Sequence, residues 1–261
     1  MAKNPSTNRA DRGATPQDRA AKIKAAQKAT STGGANKITI AGIVAILAII
    51  AVVGGVIWSQ KGAENDAGKG NTNPPAGATV AEGYRAFGNV TAKAGAPTVT
   101  VYEDFQCPIC AQLESAVGAT LGELGAAGDI VLRYHVMNFL DDKFSVKQST
   151  PVATGAFCAA DQGKFMEFHD AAFAGQHPEA QSIPEASLDA FATKAGVPDI
   201  TAWKACVKAG KYDSYVAASN NSAGEQGVTG TPTVKINGTV ADLGTIATPE
   251  GLRKAVADAT K

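Results

Sequence analysis

The sequence predicts an α/β fold with a long helical insert, preceded by a single transmembrane helix. Three observations carry this reading. Residues 38–58 form an uncharged apolar run. A strand–helix–strand pattern starts near Thr98 and, after a helical middle, is completed by a hairpin and a closing helix. Charge divides across the apolar run: residues 1–37 hold eight Lys or Arg against two Asp, a net of +6, and residues 61–261 offset this with −6. The 261-residue chain is therefore formally neutral, with 44% hydrophobic and 18% charged residues. That balance excludes a disordered polyelectrolyte and a nucleic-acid binder working through bulk positive charge.

The run Ile38–Trp58 reaches about 31 Å as a helix, close to the hydrocarbon thickness of a bilayer. Lys37 and Lys61 flank it, and Trp58 stands at its end as an interfacial anchor. A cleaved signal peptide would have a shorter apolar region and a small-x-small cleavage site. Here a 37-residue basic leader precedes the run, and the run ends Ile57-Trp58-Ser59-Gln60. The expectation is an uncleaved, single-pass anchor in the cell membrane, with the basic tail (1–37, disordered) in the cytoplasm and the rest outside. Residues 59–78 are rich in Gly, Asn and Pro, lack an apolar period, and read as a flexible linker. Residues 79–261 are enough for one well-cored domain.

Within that domain Thr98–Tyr102 alternates and is rich in β-branched residues, the pattern of a strand. After Glu103-Asp104-Phe105-Gln106 comes Cys107-Pro108-Ile109-Cys110, then Leu113, Val117, Leu121 and Leu124 at helical spacing. Residues 130–139 read as a second strand. Residues of about 145–226 form the insert, with helices starting near Pro151, Gly163, Pro184, Asp199 and Tyr212. Thr233–Val240 reads as a hairpin turning at Asn237-Gly238, and Pro249–Ala259 as the closing helix.

A CxxC at a helix start is chemically specific. The first thiol lies among unpaired backbone N–H groups at the positive end of the helix dipole, which favours its thiolate. The second is one turn deeper and can close a small disulfide with the first. Cys107 is expected to be the exposed nucleophile and Cys110 the buried resolving thiol. Pro108 suits the first turn because it needs no N–H there, and Ile109 completes the loop. Zinc would want a second close Cys or His pair, which Cys158 and Cys206 do not supply; a plain structural disulfide is the other alternative. No metal and no cofactor is expected. His135 falls in a strand as a structural residue, His169 and His177 have no nucleophile in sequence reach, and Phe165, Phe168 and Phe173 read as core.

Strand, CPIC, helix, strand, long insert, then Gly230-Thr231-Pro232-Thr233 before a hairpin and helix is similar to the thioredoxin fold. The insert makes the chain resemble DsbA-like thiol–disulfide oxidoreductases, and the run from Tyr102 to Cys110 is close to their membrane-anchored Gram-positive branch. The resemblance covers roughly residues 80–260. It implies a cis Pro232 lying against the CxxC, and a Thr231 backbone that pairs with the substrate chain. It implies a monomeric enzyme that introduces disulfides into secreted or cell-envelope proteins, reoxidised by a quinone-linked membrane partner, for example of the vitamin K epoxide reductase type. The alternatives are a disulfide isomerase or reductase of the same fold and a redox-inert, membrane-tethered binding module. Two departures matter. The family's buried acid, six residues before the first Cys, is Val101 here, which leaves Glu103 and Asp104 as candidate proton relays or as solvated turn charges. The His of strongly oxidising members is replaced by Ile109, which implies an intermediate potential. Outside the cell Cys158 and Cys206, on two helices of the insert, are expected to pair as a structural disulfide.

Overall fold

The structure is a computed structural model that describes residues 72–144, 147–177 and 181–260. The predicted tail, the predicted span 38–58 and the linker up to residue 71 lie outside the described residues. Among the described residues no helix is long and apolar enough to cross a membrane.

Two very short strands, β1 (Ala78–Thr79) and β2 (Gly83–Arg85), come first. They were not visible in the sequence because two or three residues are too few to show a period. Gly83 has φ of +75°, and a Cβ there would run into the Tyr134 carbonyl, so only glycine lets β2 approach this closely. β3 (Thr98–Glu103) follows, then one long helix in three parts: α1 (Pro108–Leu113), a π-helical turn (Glu114–Gly118) and α2 (Ala119–Ala126). β4 (Val131–Val136) is shorter than the expected 130–139. The insert holds α3 (Ser149–Ala160), α4 (Phe165–Ala174), α5 (Glu185–Lys194), α6 (Ile200–Lys208) and α7 (Asp213–Glu225). β5 (Thr233–Ile236), β6 (Thr239–Val240), a short helix α8 (Leu243–Ile246) that the sequence did not announce, and α9 (Pro249–Ala259) end the domain.

Among the described residues the strands form one sheet in the order β1-β2-β4-β3-β5-β6. β3 and β4 are parallel and the other pairs antiparallel. A parallel pair needs a crossover, which the α1–α2 helix supplies. β3 is central, and Val99 and Val101 are fully buried between its neighbours. Opposite Val101 stand Tyr134 on β4 and Val234 on β5. The β5–β6 turn has positive φ at both Asn237 and Gly238, as a tight two-residue hairpin requires. Thr248 caps α9 by accepting from the Gly251 amide, with Pro249 in its first turn.

The insert closes over one side of this sheet through aromatic contacts. Phe165 lies 4.2 Å from Tyr84 and 5.8 Å from Tyr134 and Phe157, by ring centroids. Phe168 packs on Phe191 and Trp203, and the Trp203 indole donates to the Gly155 carbonyl at 2.9 Å. Cys158 on α3 and Cys206 on α6 form a disulfide, with Cα atoms 6.0 Å apart.

Candidate active site

β3 delivers the site. Its chain ends at Glu103, turns through Asp104-Phe105-Gln106, and enters α1 at Cys107, the N-cap residue, with extended backbone (φ −75°, ψ 115°). Asp104 makes the turn: its carboxylate accepts from the Gln106 amide at 2.8 Å, the Leu140 amide at 2.9 Å and the Ser149 hydroxyl at 2.6 Å. Behind it, Asp141 accepts from the amides of Gln148, Ser149 and Thr150 at the start of α3. The Gln106 side chain donates to both Asp141 and Ser149 and locks the two layers together. From the other side the Gln176 amide donates to the carbonyls of Phe105 at 2.8 Å and Cys107 at 3.0 Å.

Both CxxC sulphurs are free thiols. Cys110 is buried, and so is Cys107, at 5% exposure, which corrects the expectation of an exposed nucleophile. The cover comes from the segment before β5: the Cys107 Sγ donates to the Thr231 carbonyl at 3.4 Å, and the Thr231-Pro232 bond is cis. Pro108 is exposed and Ile109 half-buried against the core.

The two thiols titrate in opposite directions. A hydrogen bond from Cys110 stabilises the Cys107 thiolate. Burial opposes this, but Thr231 and the amides of Cys110 and Ile109 add to it, and the Cys107 thiol is lowered from 9.0 to about 7. Burial pushes the Cys110 thiol well above its ordinary value, helped by the hydrogen bond and charge of Cys107 and by the charge of Glu103, against one favourable contact from the Asp104 amide. One ready thiolate and one strongly held proton is the arrangement a thiol-exchange pair uses.

Neither acid before the motif is a solvated turn charge; both are buried. They differ in surroundings. Asp104 is saturated with donors, and burial still pushes it up to about 7. Glu103 has one oxygen, Oε1, 2.8 Å from His169 Nε2, and its other oxygen is buried. The structure thus brings Cys107, Cys110, Thr231, Pro232, Glu103 and Asp104 together, while the Cys158–Cys206 bond joins two helices of the insert.

Sequence reading missed His169 because it lies 66 residues from Glu103. One signal was present: His169 stands one turn from both Phe165 and Phe173, on the core face of a helix, where an imidazole needs a polar partner. His135, by contrast, stacks on Tyr102 and meets the Ser219 hydroxyl at 3.0 Å, and burial holds its pKa down at about 4. It is a neutral core residue.

With this geometry in hand, comparison with known proteins is direct. A thioredoxin family model matches residues 81–258. Comparison with curated sequences gives no match. Among solved structures, the reduced disulfide bond oxidoreductase DsbG of Mycobacterium tuberculosis is 29% identical, with a TM-score of 0.56, over 66% of this chain and 83% of that one. Oxidised DsbA of the same organism is also 29% identical, with a TM-score of 0.56, over 66% and 88%. MdbA, a thiol-disulfide oxidoreductase from Actinomyces oris, shares the fold at 24% identity, with a TM-score of 0.59, over 74% and 96%.

Proposed function

The chain belongs to the thioredoxin family and is a protein thiol–disulfide oxidoreductase of the DsbA type, and from this premise we propose that it works outside the cytoplasm as an oxidase. It introduces disulfides into secreted or cell-envelope proteins through Cys107 and Cys110. The observation that carries this reading is the opposed pair of thiols at the α1 N-terminus, with Cys107 against the Thr231 carbonyl.

In the cycle a substrate thiolate attacks Cys107 of the Cys107–Cys110 disulfide. The bond between the two cysteines breaks, a bond from substrate sulphur to Cys107 forms, and Cys110 leaves with the electron pair and takes up a proton. A second substrate thiolate then attacks the substrate sulphur and releases Cys107, whose lowered pKa makes it a good leaving group. The substrate is oxidised by two electrons and the enzyme is left as the dithiol. A quinone-linked membrane partner, for example of the vitamin K epoxide reductase type, would then reoxidise it. The apolar run 38–58 would hold the domain at the outer face, with the basic tail inside. Thr231 before Pro232 is compatible with isomerase or reductase work as well, so the direction of exchange is what needs measuring.

Trapping the thiols in intact cells decides it. The oxidase reading expects Cys107 and Cys110 mostly as the disulfide, and a standard potential between about −120 and about −270 mV, the values for DsbA and thioredoxin. A mostly dithiol population, or a potential below that of thioredoxin, would make the protein a reductase or isomerase. Protease added to intact cells should remove the domain and spare the tail if the anchor is oriented as proposed.

A further inference from the structure

Behind the thiols lies a group of charged side chains that the exchange step leaves unused. Glu103 ends β3, Glu114 opens the π-helical turn, and His169 sits on α4; one polar atom of each lies within 4.8 Å of the others. Tyr134 on β4 faces the same group, and its hydroxyl is buried without a partner. One oxygen each of Glu103 and Glu114 is likewise buried with no other group against it, and the two carboxyls hydrogen-bond each other when Glu114 is protonated.

His169 joins two different environments. Its Nε2 is 2.8 Å from Glu103 Oε1 and its Nδ1 is 3.1 Å from Asp170 Oδ1. Glu103 and His169 are sealed off, whereas the Asp170 side chain is 69% exposed. A carboxylate at each ring nitrogen suits the doubly protonated imidazole, which donates at both ends. Burial works against that charge, but Glu103 and Asp170 prevail, and His169 is raised well above its ordinary value. Burial lifts Glu114 to about 8, against the charge of His169 and with that of Glu103, so Glu114 carries a proton at neutral pH. On the inner side, the Glu103 charge is felt at Cys110, whose sulphur meets the Asp104 amide.

We propose that Glu103, His169 and Asp170 form a proton conduit between the buried Cys110 sulphur and solvent, with the Glu114 carboxyl as the neighbour that keeps the group near charge balance. The proposal rests on the oxidoreductase reading above. When the Cys107–Cys110 bond breaks, Cys110 holds a new electron pair and needs one proton. The ionised Glu103 takes a proton from His169 Nε2 onto Oε1 and gives it to the Cys110 sulphur, and the imidazole, left neutral, is returned to its doubly protonated form by one proton from solvent on the Asp170 side. Reoxidation of the dithiol runs the same transfers in reverse. No electrons move along the conduit, and the net change is one proton drawn from solvent.

The test is rapid mixing of the oxidised full-length protein with dithiothreitol in weak buffer from pH 5 to 9. His169→Asn is expected to slow reduction of the active-site disulfide tenfold or more near neutral pH and to flatten the pH–rate profile. Asp170→Asn, at an exposed position, should slow it several-fold with a normal melting temperature. Both should keep the alkylation midpoint of Cys107 near 7. Wild-type rates and profile in Asp170→Asn and His169→Asn would overturn the conduit, and should His169→Asn not fold, wild-type behaviour of Asp170→Asn alone would do so. If the unmodified protein exchanges no disulfide with dithiothreitol, the oxidoreductase reading falls and the conduit with it.

Discussion

Cys107 and Cys110 are three residues apart, yet their surroundings drive their titrations in opposite directions. With Cys107 lowered from 9.0 to about 7, its thiolate fraction at pH 7 is about one half, where an unperturbed thiol would show about one per cent. The sign is that of a depressed acid, so reactivity rises with pH and levels off above about 8. Alkylation by iodoacetamide should show a single midpoint near 7 from Cys107, with Cys110 unreactive. In Cys110→Ala the largest stabilising contact to the thiolate is gone, and the midpoint should move upward. Asp104 gives a second prediction at this scale. Asp104→Asn would turn an amide N–H toward one of three donors that now meet carboxylate oxygens. The loss should be about 1–3 kcal/mol in urea unfolding below pH 5, the cost of a buried unsatisfied group, and should shrink as pH rises through 7, because the raised acid of the parent loses stability over that range and the amide does not. The nucleophile and its partner were legible in the sequence because helix-start chemistry is local. The burial of Cys107 was not, because its cover comes from Thr231, 124 residues away. The role of Glu103 was half legible: the residue was singled out, but the imidazole that meets it belongs to another element.

At the scale of elements, patterning worked wherever a period was long enough to show. β3, the five insert helices, the hairpin and α9 stand close to where alternation, caps and the Asn-Gly turn put them. What no local pattern showed was the π-helical turn, which interrupts one amphipathic helix without a proline or a polar break. It rotates Glu114 toward the interior, and Gly118 leaves the space that the Glu114 carboxylate fills. Packing between α3, α4 and α6 gives a sharper test. Gly155 lies in mid-helix, where alanine is ordinarily worth about 1 kcal/mol of helix propensity. Here an added Cβ would stand 2.9 Å from Phe168 Cζ and 3.2 Å from Trp203 Cζ2. Both rings are fixed in the core, and overpacking costs about 1–3 kcal/mol. Gly155→Ala should therefore lower stability on balance, as a drop in denaturation midpoint with an unchanged urea slope.

For the whole molecule, the disulfide ties the first insert helix to the fourth and closes a stretch of 48 residues. The chain-entropy relation puts its effect at about 4 kcal/mol as an upper figure. Cys158→Ala with Cys206→Ala should lose about 2–4 kcal/mol while keeping the alkylation midpoint of Cys107, because the groups that lower that thiol are Cys110, Thr231 and the amides of Cys110 and Ile109. A larger consequence follows from the same bond. Cys158 is buried in the core, so its pairing belongs to maturation and not to turnover. On the proposed reading, a newly exported copy is itself a client, and older copies are competent to finish it. Onset of activity in cells that begin with none should then show a lag followed by acceleration, as each completed molecule shortens the wait of the next.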